Sequence, residues 1–383
     1  MSPLRALFLV PWPEAAASTR LRAQQYFPYL RAHGVEPVLR PFMSADLYGR
    51  VYESGHLPWK VAQVVESSVR RLADLVAASR ADVVFVHREA FPFGLLTIER
   101  IIRRLGVPMV LDFDDAIYLP SSSEPNGFVR HLKNPRKVQE LVRMSTAVVV
   151  GNDHLQEYAR QFNPATVVIP TPVDADVYRP APADEARERI TIGWIGSGTT
   201  SRYLDTLAEP LARILQRHDS VDVAVVGGRS LPLERLPRVS FYRWTIEREL
   251  ALLQSFNVGL MPYPDNEWAR GKCAFKALLY MSVGIPVVCS PVGMAEEVVT
   301  EGVNGYLPST EADWYAALES LVEDAAALRQ MGAAGRNILA ARYSLERHAP
   351  RLLAVLQAVT NGKTVPVDEW GQRSVAPRPD VAR

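Results

Sequence analysis

Short apolar runs alternate with longer amphipathic stretches along this chain, and the series runs through twice. Each apolar run followed by a helix-period segment reads as one β-α unit. A succession of such units satisfies its backbone hydrogen bonds in a mostly parallel sheet covered by helices. The first half offers strands at ALFLVPW, EPVLRPF, DVVFVH, PMVLDFD, AVVVGN and TVVIP, with helical segments such as STRLRAQQYFPYLRAHG and PWKVAQVVESSVRRLADLVAASR between them. The second half begins afresh at ITIGWIG and continues through VDVAVVGG, VSFYRW, VGLMPY, PVVCS and NGYLP.

The halves meet at TPVDADVYRPAPADEARER, which is proline-rich and charged and has no apolar periodicity, as expected of an interdomain linker. The domains predicted are 1–174 and 190–344, joined by 175–189; a helix at 345–362 then precedes a tail, 363–383, expected to be disordered. That helix carries Leu345, Leu352, Leu353 and Leu356 on one apolar face. A chain of 383 residues, 48% hydrophobic and 22% charged, suits two globular domains with separate cores. The net charge of +1 argues against nucleic-acid binding, and the basic run RHLKNPRK at 130–137 suits water or an anionic lipid surface. Two cysteines without metal-ligand spacing predict no metal site and fit a reducing cytoplasm. The N-terminal run, interrupted by Pro11 and Pro13, reads as a buried strand, and no segment reaches the roughly 18 apolar residues of a membrane span, so any membrane contact is expected to be peripheral.

Ligands of open parallel sheets bind beyond the carboxyl ends of the strands, and here those ends are polar or glycine-rich. In GWIGSGTTSRYLDTL, Gly196, Ser197 and Arg202 offer backbone N–H groups, a hydroxyl and a charge to a phosphate, beside the alternative of a tight capped turn. Its glycine order is not the GxGxxG of dinucleotide enzymes. In VLDFDDAIY, alternation sends Asp112 and Asp114 to one side and Asp115 to the other, where mutual repulsion predicts a raised pKa or a bound cation. General base, metal ligand and helix cap all remain readings for these carboxylates. A haloacid-dehalogenase-type phosphohydrolase is disfavoured, because the motif lies far from the domain start and Ala116 stands where that family has Thr or Val. His87 and Arg88 end the neighbouring strand, and Asn152 precedes a helix that it can cap. In GKCAFKALLYMSVGIPVV, Lys272 and Lys276 sit at the front of an apolar helical run, where cations oppose the helix dipole unless an anion is near.

Taken with SPVGMAEEVVTEGVNGYL, this stretch resembles the donor-binding signature of GT-B glycosyltransferases, specifically the large retaining family 4 (glycosyl transferases group 1), and the subgroup reading GKC, then FK, then YM. DVVFVH, PTPVDADVYRP, GWIGS and YSLERHAPRLL extend the resemblance over most of the chain. It implies an α/β fold of two Rossmann-like domains facing across a cleft, with the last helix returning to the first domain. The implied reaction moves a sugar from a UDP- or GDP-linked donor to a hydroxyl acceptor that can be lipid-linked, in surface polysaccharide or glycolipid assembly at the cytoplasmic side of the membrane, with no cofactor and no metal. Lys272 and Lys276 would face the donor diphosphate. The family's paired glutamates are replaced by Gly271 and Leu279, which leaves Asp265, Glu267, Glu296 or Glu297 to take their contacts. Asp114 stands where the family often has a histidine, and with Asp115 and His87 it is the expected acceptor-activating group. EAAASTRLR replaces the usual glycine-rich loop and assigns Ser18, Thr19, Arg20 and Arg22 to acceptor or phosphate contact, with Arg88 and Asn152 beside them. A GT-B epimerase or phosphorylase, or a non-catalytic sugar-nucleotide-binding protein, is the alternative.

Overall fold

The computed structural model describes residues 3–51, 53, 55–92, 96–119, 135–182 and 189–367. Linker residues 183–188, most of the basic run and the tail from 368 onward lie outside the described residues. The chain divides into two compact units, Met1–Thr171 with Leu345–Arg383, and Pro172–Ser344.

Each of the twelve apolar runs forms a strand. The first unit carries β1 (Leu4–Val10), β2 (Val35–Pro41), β3 (Val83–His87), β4 (Met109–Phe113), β5 (Ala147–Val150) and β6 (Thr166–Val168) in the parallel order β2-β1-β3-β4-β5-β6. Alternation along β1 splits its side chains between two cores. Phe8 and Val10 join Tyr26, Phe27 and Leu30, whereas Leu7 and Leu9 join Ile98, Ile102 and Leu141 on the opposite face. The C-terminal helix Leu345–Thr360 belongs to the first of these cores through Leu352, Val355, Leu356 and Val359.

The second unit repeats the plan with β7 (Ile190–Ile195), β8 (Val221–Val226), β9 (Val239–Tyr242), β10 (Val258–Met261), β11 (Val287–Cys289) and β12 (Gly305–Tyr306), ordered β12-β11-β10-β7-β8-β9 and parallel throughout. Its glycines admit large neighbours. A Cβ on Gly259 would lie 2.2 Å from the Tyr280 ring, so the bare backbone of β10 is what lets the helix Phe275–Ser282 settle onto the sheet.

One expected helix is not continuous. The segment STRLRAQQYFPYLRAHG splits into Ala17–Arg22, a single 3-10 turn at Gln24–Tyr26, and Phe27–Ala32. Pro28 is the reason: it has no N–H to give a preceding carbonyl and is tolerated only in a helix's first turn, which is where it lies.

Leu356 is fully buried in the core that the C-terminal helix completes. Leu356→Ala is expected to lower the stability of the first unit by about 2–5 kcal/mol, measured by urea unfolding.

Candidate functional site

In both sheets the strand order reverses once, between β1 and β3 and between β7 and β10. At such a reversal consecutive right-handed crossovers leave opposite faces of the sheet, and a crevice opens beyond the strand ends. The side chains that carry chemistry gather at these two places.

In the first unit, the end of β3 supplies His87 and β4 supplies Asp112, which is its register partner across the sheet. Both point to the face covered by the helix Ala17–Arg22, and both are fully buried. His87 Nδ1 lies 2.6 Å from Asp112 Oδ2, and His87 Nε2 lies 2.6 Å from Ser18 Oγ. Arg22 donates from Nη2 to Asp112 Oδ1, from Nε to Asp112 Oδ2 at 3.2 Å and from Nη1 to the Ile169 carbonyl at 2.7 Å. Burial alone raises a carboxyl pKa, but here the Arg22 charge and the His87 hydrogen bond outweigh it and hold Asp112 below the ordinary carboxylate range. Arg22, expected to meet the acceptor, is instead an internal counter-ion with no exposed surface to offer.

The expected repulsion among the aspartates is outweighed, because β4 ends at Phe113 and guanidinium groups intervene. Arg88 Nη2 donates to Asp114 Oδ1 at 2.8 Å and to Asp115 Oδ2 at 2.6 Å, so these two share one cation while Asp112 keeps its own. Burial opposes ionisation of Asp114, yet Arg88, with His87 and Arg22 behind it, pulls its pKa down to about 2. So low a value makes Asp114 a weak proton acceptor and a firm negative anchor. Arg88 itself has φ 61, a left-handed conformation rare outside glycine; its N–H donates to the Asp112 carbonyl at 2.6 Å and its guanidinium lies over the Trp12 ring at 4.9 Å.

In the second unit, Lys276 spans the reversal between β7 and β10. Its Nζ donates to Tyr263 Oη at 3.1 Å, just past β10, and to Thr200 Oγ1 at 3.3 Å, just past β7. It lies 5.0 Å from the centroids of both the Trp194 and Tyr263 rings. Gly196 makes room for it, since a Cβ there would fall 2.7 Å from Lys276 Cε. One turn on, the Tyr280 hydroxyl accepts from Ile195 N at 3.1 Å and donates to the Leu260 carbonyl at 3.0 Å, pinning the helix across both strands. Burial, with repulsion from Lys272, lowers the Lys276 pKa to about 7, and among the described residues no carboxylate pairs with it.

Lys272 does not stand at the helix start. The helix begins at Phe275, after Ala274 in a left-handed conformation, and Lys272 lies before that bend with Nζ 4.1 Å from the centroid of Trp268. Tyr203, Tyr263 and Trp268 form a half-buried aromatic group around the two lysines, with ring centroids 5.7–6.2 Å apart. Arg202 is exposed and turns to Tyr203, with Nη2 2.9 Å from its hydroxyl. Ser197 Oγ pairs with Thr199 Oγ1 at 2.8 Å.

The acidic substitutes fare unevenly. Asp265 and Glu267 face Arg270 at 2.9 Å and 3.5 Å, while Glu296 and Glu297 lie in the short helix Ala295–Val298. Gly271 and Leu279 are buried, so no acid occupies the family's glutamate positions. Asn152 caps the helix Asp153–Arg160 by accepting from Leu155 N at 2.9 Å, and Thr19 Oγ1 donates to the Trp12 carbonyl at 2.9 Å. Arg20 is half-buried on the same helical turn as Ser18.

Residues 189–324 match the family model described as "Glycosyl transferases group 1". That segment is a glycosyltransferase group 1 domain. The chain is similar to the D-inositol 3-phosphate glycosyltransferase of Segniliparus rotundus, with 27% identity over 285 residues, 68% of this chain and 63% of that protein's length. Solved structures share the fold of the whole: sucrose-phosphate synthase of Thermosynechococcus elongatus (TM-score 0.67, 18% identity, 94% of this chain and 100% of that one) and Anabaena Alr3699/HepE in complex with UDP (TM-score 0.63, 16% identity, 93% and 100%). The fold is therefore GT-B, two parallel α/β sheets with helices.

Within residues 189–324, Trp268 is a candidate site residue that sequence reasoning missed, whereas Thr200 and Tyr263 stood out only as residues near strand ends. Their position just past the ends of β7 and β10 was the available signal. In the other unit Asp112 and Ser18 belong with His87, a grouping that alternation along a single strand cannot reveal.

Asp112→Asn leaves the Arg22 guanidinium buried without its counter-charge. The expected loss is about 3–5 kcal/mol of first-unit stability, measured by denaturant unfolding at neutral pH. Because the folded Asp112 titrates below the ordinary range, its contribution is present above about pH 4 and is lost as the pH falls further. The variant's acid limb should be correspondingly shallower.

Proposed function

We propose that the protein is a retaining family 4 glycosyltransferase that moves a sugar from a UDP- or GDP-linked donor to a hydroxyl acceptor. Lys276 carries this reading. A desolvated ammonium, held by two neutral hydroxyls over a switch-point crevice and, among the described residues, not paired with a carboxylate, is an anion site in waiting. A diphosphate would supply the missing charge, with Lys272 beside it and the N–H groups of the Phe275–Ser282 helix start behind it. Charge builds on the leaving diphosphate as the glycosidic bond breaks, so a cation fixed there stabilises the transition state more than the ground state. The donor is a substrate, and the proposal includes no resident cofactor or metal. The UDP seen with the similar Anabaena protein favours a UDP-linked donor.

The first unit would hold the acceptor, with Asp114 and Asp115 on Arg88 as hydrogen-bond acceptors for its hydroxyl groups and Ser18, Thr19 and Arg20 beside His87. A lipid-linked acceptor is favoured by the helix Leu57–Ala78. Its buried side carries Ser67 and Arg71, while Leu57, Val61, Val65, Val69, Leu72 and Val76 form a stripe 53–70% exposed. The helix Thr97–Arg104, packed against it, ends in exposed Arg103, Arg104 and Leu105. An apolar stripe next to cations suits the surface of an anionic bilayer. Among the described residues no helix is long and apolar enough to cross a membrane.

Thermal-shift screening against nucleoside diphosphate sugars should find preferential stabilisation by one donor, and turnover of that donor with a hydroxyl acceptor, with retained anomeric configuration, tests the reaction. No stabilisation by any of them would end the reading. Lys276 must be protonated to hold the diphosphate, so UDP affinity should weaken by up to about tenfold per pH unit as the pH rises above 7. Lys276→Met should bind UDP weakly and without that pH dependence, by calorimetry. Cosedimentation with phosphatidylcholine–phosphatidylglycerol vesicles should be lost in Val65→Glu/Val69→Glu; an unchanged bound fraction would remove the bilayer from the proposal.

A further inference from the structure

We propose that Tyr280 is a positioning residue of the donor site: its hydroxyl replaces one rung of the sheet and holds β7 and β10 apart at the width that lets an anion reach Lys276. This rests on the glycosyl-transfer reading and adds to it how the second unit keeps its crevice open.

Strands β7 and β10 pair at Ile192 with Val258 and at Gly193 with Gly259, and their ladder ends there. On their outer sides both run further, β7 beside β8 as far as Ile195 and β10 beside β11 as far as Met261. The parting is therefore confined to the switch point. Beyond it the Ile195 N–H and the Leu260 carbonyl bond to one and the same oxygen, the Tyr280 hydroxyl, which accepts from the first at 3.1 Å and donates to the second at 3.0 Å. A hydroxyl has one hydrogen to give and lone pairs to receive with, so a single side chain completes the rung. Two glycines make the room. A Cβ on Gly259 would lie 2.2 Å from the Tyr280 ring, and one on its register partner Gly193 would lie 2.1 Å from the Phe256 ring. Tyr280 is fully buried, so the two backbone groups cannot turn to bulk water in place of its hydroxyl.

Lys276 lies one helical turn before Tyr280 on the same face, and it spans the same two strands further out, from Thr200 past β7 to Tyr263 past β10. One gap is bridged at two depths. Direct closure of the rung, from the Ile195 N–H to the Leu260 carbonyl, would draw the strands together by the width of an oxygen. Thr200 and Tyr263 would follow, and Lys276 would be pushed from between them toward water. The titratable groups nearest Lys276 are Tyr263, which accepts from it, and Lys272, which repels it from the segment before the helix. Of the other elements packed on this helix, Ala325–Arg342 gives Arg336, which donates to the Ser282 carbonyl at the far end at 2.7 Å, and Ala295–Val298 carries Glu296 and Glu297.

Calorimetry with UDP as a function of pH tests the role in the parent, in Tyr280→Phe and in Leu318→Ala, which loosens the core of the same unit at a fully buried residue outside the site. Tyr280→Phe should lower UDP affinity at neutral pH by about 10- to 100-fold. The decline of affinity with rising pH should also begin at a higher pH than the parent's, because an ammonium returned to water regains its ordinary basicity. Leu318→Ala should keep the parent's affinity and onset. Parent-like affinity and onset in Tyr280→Phe, or an equal loss in Leu318→Ala, overturn the proposal. Tyr280→p-aminophenylalanine, whose amine can both donate and accept at the same place, should fold and bind UDP as the parent does; a loss of binding there overturns the proposal even if Tyr280→Phe does not fold. The ¹⁵N titration of the Lys276 ammonium needs no ligand: its midpoint should lie at about 7 in the parent and higher in Tyr280→Phe. An unmoved midpoint overturns the positioning role, whereas a moved midpoint in a protein that binds no UDP defeats the glycosyl-transfer reading instead.

Discussion

Right-handed crossover is the constraint from which both sites follow. When the chain reverses its direction of travel across a parallel sheet, the helices before and after the reversal must pack on opposite faces, and the strand ends between them are left uncovered. The two sheets each reverse once, at β1/β3 and at β7/β10. At the first reversal Ser18 and His87 meet; at the second Lys276 meets Thr200 and Tyr263. The backbone hydrogen bonds missing across β7 and β10 near their ends are partly replaced by the Tyr280 hydroxyl, which joins Ile195 to Leu260 and anchors the helix that carries Lys276.

The two sites are built with opposite electrostatics. In the first unit the charges at the strand ends are paired, Arg22 with Asp112 and Arg88 with Asp114 and Asp115. In the second unit Lys276 is buried on two neutral hydroxyls and, among the described residues, no carboxylate pairs with it; burial, with repulsion from Lys272, lowers its pKa to about 7. A fold tolerates such a group where a ligand is to complete it. The first arrangement fixes its carboxylates in ion pairs, whereas the second leaves a buried ammonium on neutral hydroxyls.

The strands were legible because their apolar runs are short, β-branched and bounded by turn residues, so VVFVH and VVC needed no tertiary information to be read. The site was legible in part. Lys276 and His87 stood out by position, the one in a helix's first turn and the other at a strand end, but position did not distinguish Lys276 from Lys272. The bend at Ala274 separates them by sending Lys272 toward Trp268 before the helix begins. Likewise the aspartates of LDFDD looked alike in sequence. Their roles diverge because Asp112 lies inside β4 and points to the Arg22 side, while Asp114 and Asp115 come after the strand and turn to Arg88.

By itself the sequence determined the α/β class, the twelve strands, the polar strand ends and the presence of a glycosyltransferase-like donor signature, since each is a property of local pattern. Tertiary structure decided which of those polar ends face one another. Arg22 and Asp112 are 90 residues apart, and Lys276 and Thr200 are 76 apart. Only the order of strands brings such partners together, and that order is set by how the helices pack on the two faces of each sheet, which no local pattern encodes.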